Sequence, residues 1–373
     1  MEGLTPLHVA VERRSEKHVR WYMDHDAPWE MQDNGSLTPG ELALALGLRR
    51  IFNIIFEGAV RNEYRFWNLP LTEMPWPDEN PYRRASMRQQ PFSIRNGDYL
   101  NAPVTYRNPR PEIPGDFAMI DDQGNGVMME WERPLMKESA RLLCEGMGEG
   151  KSILNIGFGL GIIDSYFQTY SPANHTIIEA HPQCLKYMRK NGWYDKPNVR
   201  ILEGRWQDFI GPMFSPKKVK RIPDQPGGGG KGLGRFDIIY FDTYQEGYLG
   251  HVHFLRVAAR LMSGPSARLS FFHGHLCKWK LGKEIYAEVA RWHALDVGIN
   301  SEYHDFSIDP DKEWTSFNPN KPSREQLDHP WKIPICALAP TVQRSVRRAS
   351  GWAAPINEVP YEVLDIRKVW DSI

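Results

Sequence analysis

The run Ser152-Ile153-Leu154-Asn155-Ile156 passes without interruption into Gly157-Phe158-Gly159-Leu160-Gly161-Ile162, and this junction limits the possible folds more than any other feature. A short apolar run of this kind reads as a strand buried on both faces. Glycines at alternate positions mark a tight turn whose backbone can approach a ligand closely. The spacing then predicts a helix from Gly161 to Tyr170. Strand, glycine turn and helix in that order open an α/β sheet, and in such sheets ligands bind beyond the carboxyl ends of the strands.

The following residues keep the alternation. Strands are expected at His175–Ile178, Val199–Leu202, Phe236–Phe241 and Ala267–Phe272, and helices at Pro134–Glu145, Pro182–Asn191 and Val252–Met262. Strands separated by helices imply a mainly parallel sheet covered on both faces. Lys217–Arg235 contains PGGGGKGLG and reads as a surface insertion. It does not fit a phosphate loop, because Gly232 rather than Ser or Thr follows Lys231 and no strand precedes it.

The N-terminal part has a different texture. Leu4-Thr5-Pro6 with Ala10 recurs as Leu37-Thr38-Pro39 with Ala43, a shift of 33 residues. That period and opening are those of ankyrin repeats, in which a Thr-Pro turn starts the first helix of each pair. The second copy has Glu41 where the first has His8. An ordinary helical hairpin with a chance Thr-Pro match is the plainer alternative. About three repeats are usually needed to bury enough surface, so two copies must lean on the next domain or have lost neighbours before Met1. Residues 66–116 are rich in Pro, Arg and Asn and read as a linker with a lead-in arm. The expected division is ankyrin-like repeats over 1–62, a linker over 63–95 and an α/β domain over 96–373.

Charge and cysteine content narrow the classes further. Lys plus Arg and Asp plus Glu each number 46 among 373 residues, which argues against a broadly basic surface and against direct nucleic-acid binding. No stretch approaches the ~18 apolar residues of a membrane span, and the first residues lack a signal-peptide pattern. Cys144, Cys184, Cys277 and Cys336 have no zinc spacing and read as reduced thiols of an intracellular protein. The pairs His251/His253 and His273/His275 lack a companion ligand at motif spacing, so no metal is expected.

Four acidic positions carry the chemistry. Glu179 ends the second strand, 22 residues past Gly157, which suits a carboxylate receiving ribose hydroxyls. Dinucleotides and S-adenosylmethionine both fit that much. The GxGxG spacing leans to the second, as does Glu203-Gly204-Arg205-Trp206-Gln207-Asp208, which offers an aromatic plane and polar groups to an adenine. For Trp206 the plainer alternative is core packing, and for Asp208 a helix cap. Asp242 sits at the tip of the fourth strand, where it can face a substrate or simply cap a turn. Glu132, in Met129-Glu130-Trp131-Glu132-Arg133-Pro134, precedes a helix and taken alone reads as a helix-start charge.

Taken in order, MMEWERPLM, LNIGFGLGI, IIEAHP, EGRWQD and FDIIYFDTY resemble the guanidinoacetate methyltransferase group. With the repeats they are still more similar to the fungal protein arginine N-methyltransferase 2 family, over nearly the whole chain. The resemblance implies a Rossmann-like, S-adenosylmethionine-dependent methyltransferase sheet behind an all-α ankyrin-like segment. It implies that Gly157, Phe158, Gly159, Leu160, Gly161 and Ile162 wrap the methionine part of the donor, and that Glu179 holds the ribose with Ala180 and His181 beside it. Trp206 and Gln207 would frame the adenine, Met136 and Tyr106 would close over the donor, and Glu132 and Asp242 would grip a guanidinium, with Asp242 also beside the donor. The implied target is the δ-nitrogen of an arginine in a protein, a large-subunit ribosomal protein, met in the cytoplasm and nucleus. Arg133 departs from the small or acidic residue of the family pattern, the 217–235 insertion is unusual, and the repeat region is short at its start. Two alternatives stay open: methylation of a small guanidino acid, against which the repeats weigh, and an interaction protein with an inactive methyltransferase fold, against which the intact glycine loop, Glu179 and Asp242 weigh.

Overall fold

The apolar run at 152–156 is the central strand of a seven-stranded sheet. The structure is a computed structural model and describes residues 3–69, 96–108, 117–210, 233–244, 246–272, 280–308 and 330–339. Most of the 63–95 linker, nearly all of the glycine-rich insertion and the pair His273/His275 lie outside these residues. The chain divides into two compact units: Met1–Phe92 with Gly274–Asp296 and Val342–Ile373, and Ser93–His273 with Val297–Thr341.

In the second unit, helix Asn96–Asn101 leads into strands β1 (Thr105–Arg107), β2 (Ala118–Ile120) and β3 (Gly126–Met129), which form a small antiparallel sheet. A 3₁₀ turn, Glu130–Glu132, then opens helix Arg133–Cys144. The large sheet follows with β4 (Ser152–Ile156), β5 (Asn174–Glu179), β6 (Val199–Glu203), β7 (Ile238–Phe241), β8 (Arg268–Phe271), β9 (Ile299–Phe306) and β10 (Trp331–Leu338). Its order is β6-β5-β4-β7-β8-β10-β9. Strands β4 to β8 run parallel to one another, and β10 runs antiparallel to both β8 and β9. Every residue of β7 is buried, and so are the last four of β4. That explains why these strands read as unbroken apolar runs rather than alternating ones. The helices Ile162–Gln168, Pro182–Lys190, Trp206–Ile210 and Gly247–Leu261 connect them. The sheet is Rossmann-like, as expected, while β9 and β10 lie beyond the strands expected from the sequence.

In the first unit, the 33-residue shift is structural. Helices Pro6–Glu12 and Pro39–Ala45 share it, as do the starts of Glu16–Asp24 and Arg49–Trp67. Thr5 and Thr38 both cap with their side chains in extended backbone, and each forms a capping box with the residue three positions on. Glu41 therefore does the work of His8: its carboxylate accepts from the Thr38 N–H at 2.9 Å, as His8 Nδ1 does from Thr5 N at 3.1 Å. The small residues let helices approach, since a Cβ on Gly58 would lie 2.8 Å from that of Met23. The last helix of this unit, Lys280–Asp296, comes from far along the chain. The buried Glu63 carboxylate ties it in, accepting from Trp29 Nε1 at 3.1 Å, Trp67 Nε1 at 3.2 Å and Tyr286 Oη at 2.7 Å. Residues 63–67, assigned to a linker on sequence, are the last turns of Arg49–Trp67.

Candidate active site

Strand order turns back between β4 and β7: the chain moves outward through β5 and β6, then returns to the other side of β4. At such a reversal the loops leaving the two central strands diverge and open a crevice at their carboxyl ends. Gly157 leaves β4 there and Asp242 leaves β7 there. Asp242 N donates to the Ile156 carbonyl at 2.9 Å, which locks the two strand ends together. Gly157 has φ +90°, and a Cβ on it would stand 1.9 Å from the Asp242 carbonyl oxygen. No other residue fits without parting the strands. At Gly161, φ is +70° and a Cβ would meet the Phe158 ring at 2.3 Å. Ile162 then begins the next helix, buried like Phe158.

Behind the turn lies a fully buried polar brace. Asn155 Nδ2 donates to the Gly157 carbonyl at 2.8 Å and to Asp164 Oδ1 at 2.8 Å, and His175 Nε2 lies 3.0 Å from the same Asp164 oxygen. On the open side, Glu179 organises the loop. Its Oε2 accepts from Phe158 N at 2.9 Å, and its Oε1 accepts from Ala180 N and His181 N, both at 2.7 Å. His181 caps Pro182–Lys190: Nδ1 accepts from Gln183 N at 3.2 Å, so Nε2 carries the hydrogen that meets the Ala102 carbonyl at 3.1 Å. Leu160 N donates to Met128 Sδ at 3.2 Å.

Tyr106 reaches the loop from the small sheet. Its hydroxyl donates to the Gly159 carbonyl at 3.2 Å and its ring stacks on Tyr187 at 4.1 Å. Met136 is placed differently. It is fully buried in the core with Ile153 and Ile162, and its sulfur accepts the Tyr240 hydroxyl at 3.4 Å. The lead-in helix adds Tyr99, whose ring lies 5.0 Å from both His181 and Tyr244.

Trp206 and Gln207 open helix Trp206–Ile210 beside β7. The Trp206 ring meets Phe241 and Phe254 edge to face, and Asp208 caps the helix by accepting from Arg205 N at 3.1 Å. Packing and capping, the plainer alternatives, are therefore both real here, and binding can coexist with them. Sequence reasoning missed Glu246, which accepts from Trp206 Nε1 at 2.7 Å, Gln207 Nε2 at 2.8 Å and Thr243 Oγ1 at 2.9 Å. Its signal was available: a carboxylate four residues past Asp242, just before a helix.

Glu132 and Asp242 come together. Glu132 is buried on the 3₁₀ turn, and its Oε1 accepts from Met129 N at 2.9 Å. Loss of water and then the Asp242 charge push its carboxyl up to about 8, against the pull of that hydrogen bond. Asp242 keeps partial exposure, yet loss of water pushes it up to about 7. Among the described residues no cationic side chain pairs with either. Arg133 turns away to Glu130, with Nη2 3.0 Å from Oε2. Two desolvated carboxylates in one crevice, with the charge of one raising the other, form a site with an unmet demand for positive charge.

These residues fit a nucleoside donor. The buried Gln207 Oε1 has no hydrogen-bond partner among the described residues, so it can receive a base amine. Among the described residues no three His, Cys, Asp or Glu side chains are grouped to hold a metal, and no helix is long and apolar enough to cross a membrane.

Known proteins agree with this geometry. The guanidinoacetate N-methyltransferase family model matches residues 114–224, a span holding Glu132, the glycine loop, Glu179, Trp206 and Gln207. Protein arginine N-methyltransferase 2 of Cryptococcus neoformans is 33% identical over 82% of this chain and 78% of its own length. That of Candida glabrata is 31% identical over 80% and 76%, and that of Aspergillus oryzae 29% identical over 88% and 79%. With identity of this degree over four fifths of its length, the chain belongs to the protein arginine N-methyltransferase 2 family and is an S-adenosylmethionine-dependent arginine N-methyltransferase.

Proposed function

We propose that this enzyme methylates the internal, δ-nitrogen of an arginine in a protein, a large-subunit ribosomal protein, in the cytoplasm and nucleus. The observation that carries the reading is the Glu132–Asp242 pair, two desolvated carboxylates at the strand reversal with no cation of their own among the described residues. A guanidinium is planar, permanently charged and a fork of donors, so it matches two such carboxylates. Its arrival pulls both groups back toward ionisation. At an effective dielectric near 20, each contact at ~4 Å contributes on the order of 4 kcal/mol before desolvation.

When bound, S-adenosylmethionine supplies an electrophilic methyl carbon on a cationic sulfur. Gly157 to Ile162, Glu179 and the Trp206–Gln207 turn would hold it. Asp242 orients the guanidinium fork. Glu132 accepts the N–H proton at its Oε2 as the nitrogen gives it up, because Oε1 is already engaged by Met129 N. Fixing the nitrogen in place replaces an encounter in water with a near-attack geometry.

The δ-nitrogen and the ribosomal target rest on resemblance to the family, whose relatives act on internal guanidino nitrogens. The paired N-terminal helices, read as ankyrin-type repeats, supply a platform for a protein substrate that a small guanidino acid does not need. The test is incubation with labelled S-adenosylmethionine, a fungal ribosomal extract and guanidinoacetate, followed by fragmentation of the product. Label in a protein as δ-methylarginine supports the proposal. Label in ω-methylarginine, or in the small acid alone, sinks it.

A further inference from the structure

We infer that Glu246 sets which hydrogen-bonding face Gln207 turns to the base of the donor, and thereby makes the site read an exocyclic amine. The inference deepens the proposed cofactor site and rests on Trp206 and Gln207 being its adenine frame. Glu246 is the residue that precedes helix Gly247–Leu261, yet its side chain makes no capping bond to that helix. Its carboxylate is turned the other way. Oε2 accepts from Trp206 Nε1 at 2.7 Å and from Thr243 Oγ1 at 2.9 Å, and Oε1 accepts from Gln207 Nε2 at 2.8 Å.

An ionised carboxylate offers acceptors only. Gln207 must therefore direct its NH₂ group at Glu246. Its carbonyl oxygen then faces the other way, buried and without a partner among the described residues. A buried acceptor left unmet is costly, and a donor that reaches it recovers that cost. The 6-amino group of adenine is such a donor. The 6-oxo group of hypoxanthine is an acceptor and would be set against another acceptor. A site built to satisfy a polar group rejects an analogue that lacks the partner. Because Thr243 follows Asp242, the same carboxylate ties the base frame to the strand end that holds the guanidinium.

The substitution Glu246→Gln makes the inference testable by binding. The amide it introduces keeps one oxygen for Trp206 and Thr243 and offers an amine to Gln207, which must then turn over and present its own NH₂ to the base. Binding of S-adenosylhomocysteine and S-inosylhomocysteine to the full chain is measured by calorimetry for the natural protein, Glu246→Gln and Gln207→Leu. The natural protein should prefer the adenosyl compound by about tenfold or more. Glu246→Gln should erase or reverse that preference, a change that general loosening would not produce. Gln207→Leu should weaken the adenosyl compound and remove discrimination, which keeps the inference open to test if Glu246→Gln does not fold. Tight adenosyl binding with no discrimination, or full discrimination in Glu246→Gln, overturns the inference while leaving the cofactor site standing. Failure of the natural protein to bind either compound overturns the cofactor site and this inference with it.

Discussion

Glu179 closes β5 with both carboxylate oxygens engaged by three backbone N–H groups, whereas Glu132 and Asp242, at the same end of the sheet, accept among the described residues only from Met129 N. The two stations share side-chain chemistry and differ in solvation. Around Glu179 the protein has replaced water with its own donors, so the charge serves to shape the glycine loop. Around Glu132 and Asp242 it has removed water and returned little, so both carboxyls are pushed up. A carboxylate satisfied from within is part of the scaffold, and one left in deficit is a socket for an incoming cation.

The strongest challenge to that contrast comes from exchanging the groups for amides. Glu132→Gln should lower kcat by about 10²–10⁴-fold, the usual contribution of a positioned proton acceptor, while donor affinity stays within about threefold as in a loss confined to the reacting complex. Single-turnover kinetics with calorimetry measures both, and a kcat loss below tenfold would break the contrast. Glu179→Gln should act the other way. An amide sets an NH₂ group against backbone donors, so the loop loses at least one bond and the fold about 1–3 kcal/mol. Donor affinity should fall by about tenfold or more, with a smaller change in kcat at saturation. A kcat-only defect would show that Glu179 belongs with the reacting pair.

Acidity offers a gentler test. The pair sits at about 8 and about 7, above the ordinary carboxylate values of 4.5 and 3.8. Between about pH 4 and pH 8 the folded protein thus holds protons that the unfolded chain has released. Stability at these groups is fully present below the unfolded values and is lost as pH rises through the folded ones. Asp242→Asn removes one source of that loss, so its stability relative to the natural protein should increase between pH 5 and pH 8, by about 1–2 kcal/mol at the upper end. Melting curves at several pH values check this, and a gap that narrows with pH contradicts it. The smallest effect belongs to Arg133→Ala. Arg133 is engaged by Glu130 in a half-exposed pair, so stability should fall by no more than about 1 kcal/mol and kcat should barely change. A large kcat defect in steady-state assays would bring Arg133 into the socket.

What the sequence made legible follows from how local each signal was. Gly157, Glu179 and Asp242 lie at the ends of buried strands, and an apolar run that stops at a glycine or a carboxylate announces its own end. The repeat was legible because a capping box is complete within four residues, and Glu41 in place of His8 builds the same box from another side chain. Signals that depend on distant partners were lost. Helix Lys280–Asp296 joins the N-terminal helices through Tyr286 and Glu63, which no local pattern encodes. Strands β9 and β10 pair with one another across an intervening stretch of chain. Met136 carries a family role by position, yet in the structure it is core packing. Glu246 offered a local signal, a carboxylate just before a helix, but its link to Trp206 and Gln207 depends on a separate segment of the chain.

The most direct measurement of the central claim is donor affinity set beside turnover for Asp242→Asn, which keeps the shape of the side chain and deletes its charge. If the pair exists to receive a guanidinium, S-adenosylhomocysteine should bind within about threefold of the natural protein while kcat on the protein substrate falls by about 10²-fold or more. Unchanged kcat, or a loss of donor affinity that accounts for the whole defect, would contradict the account.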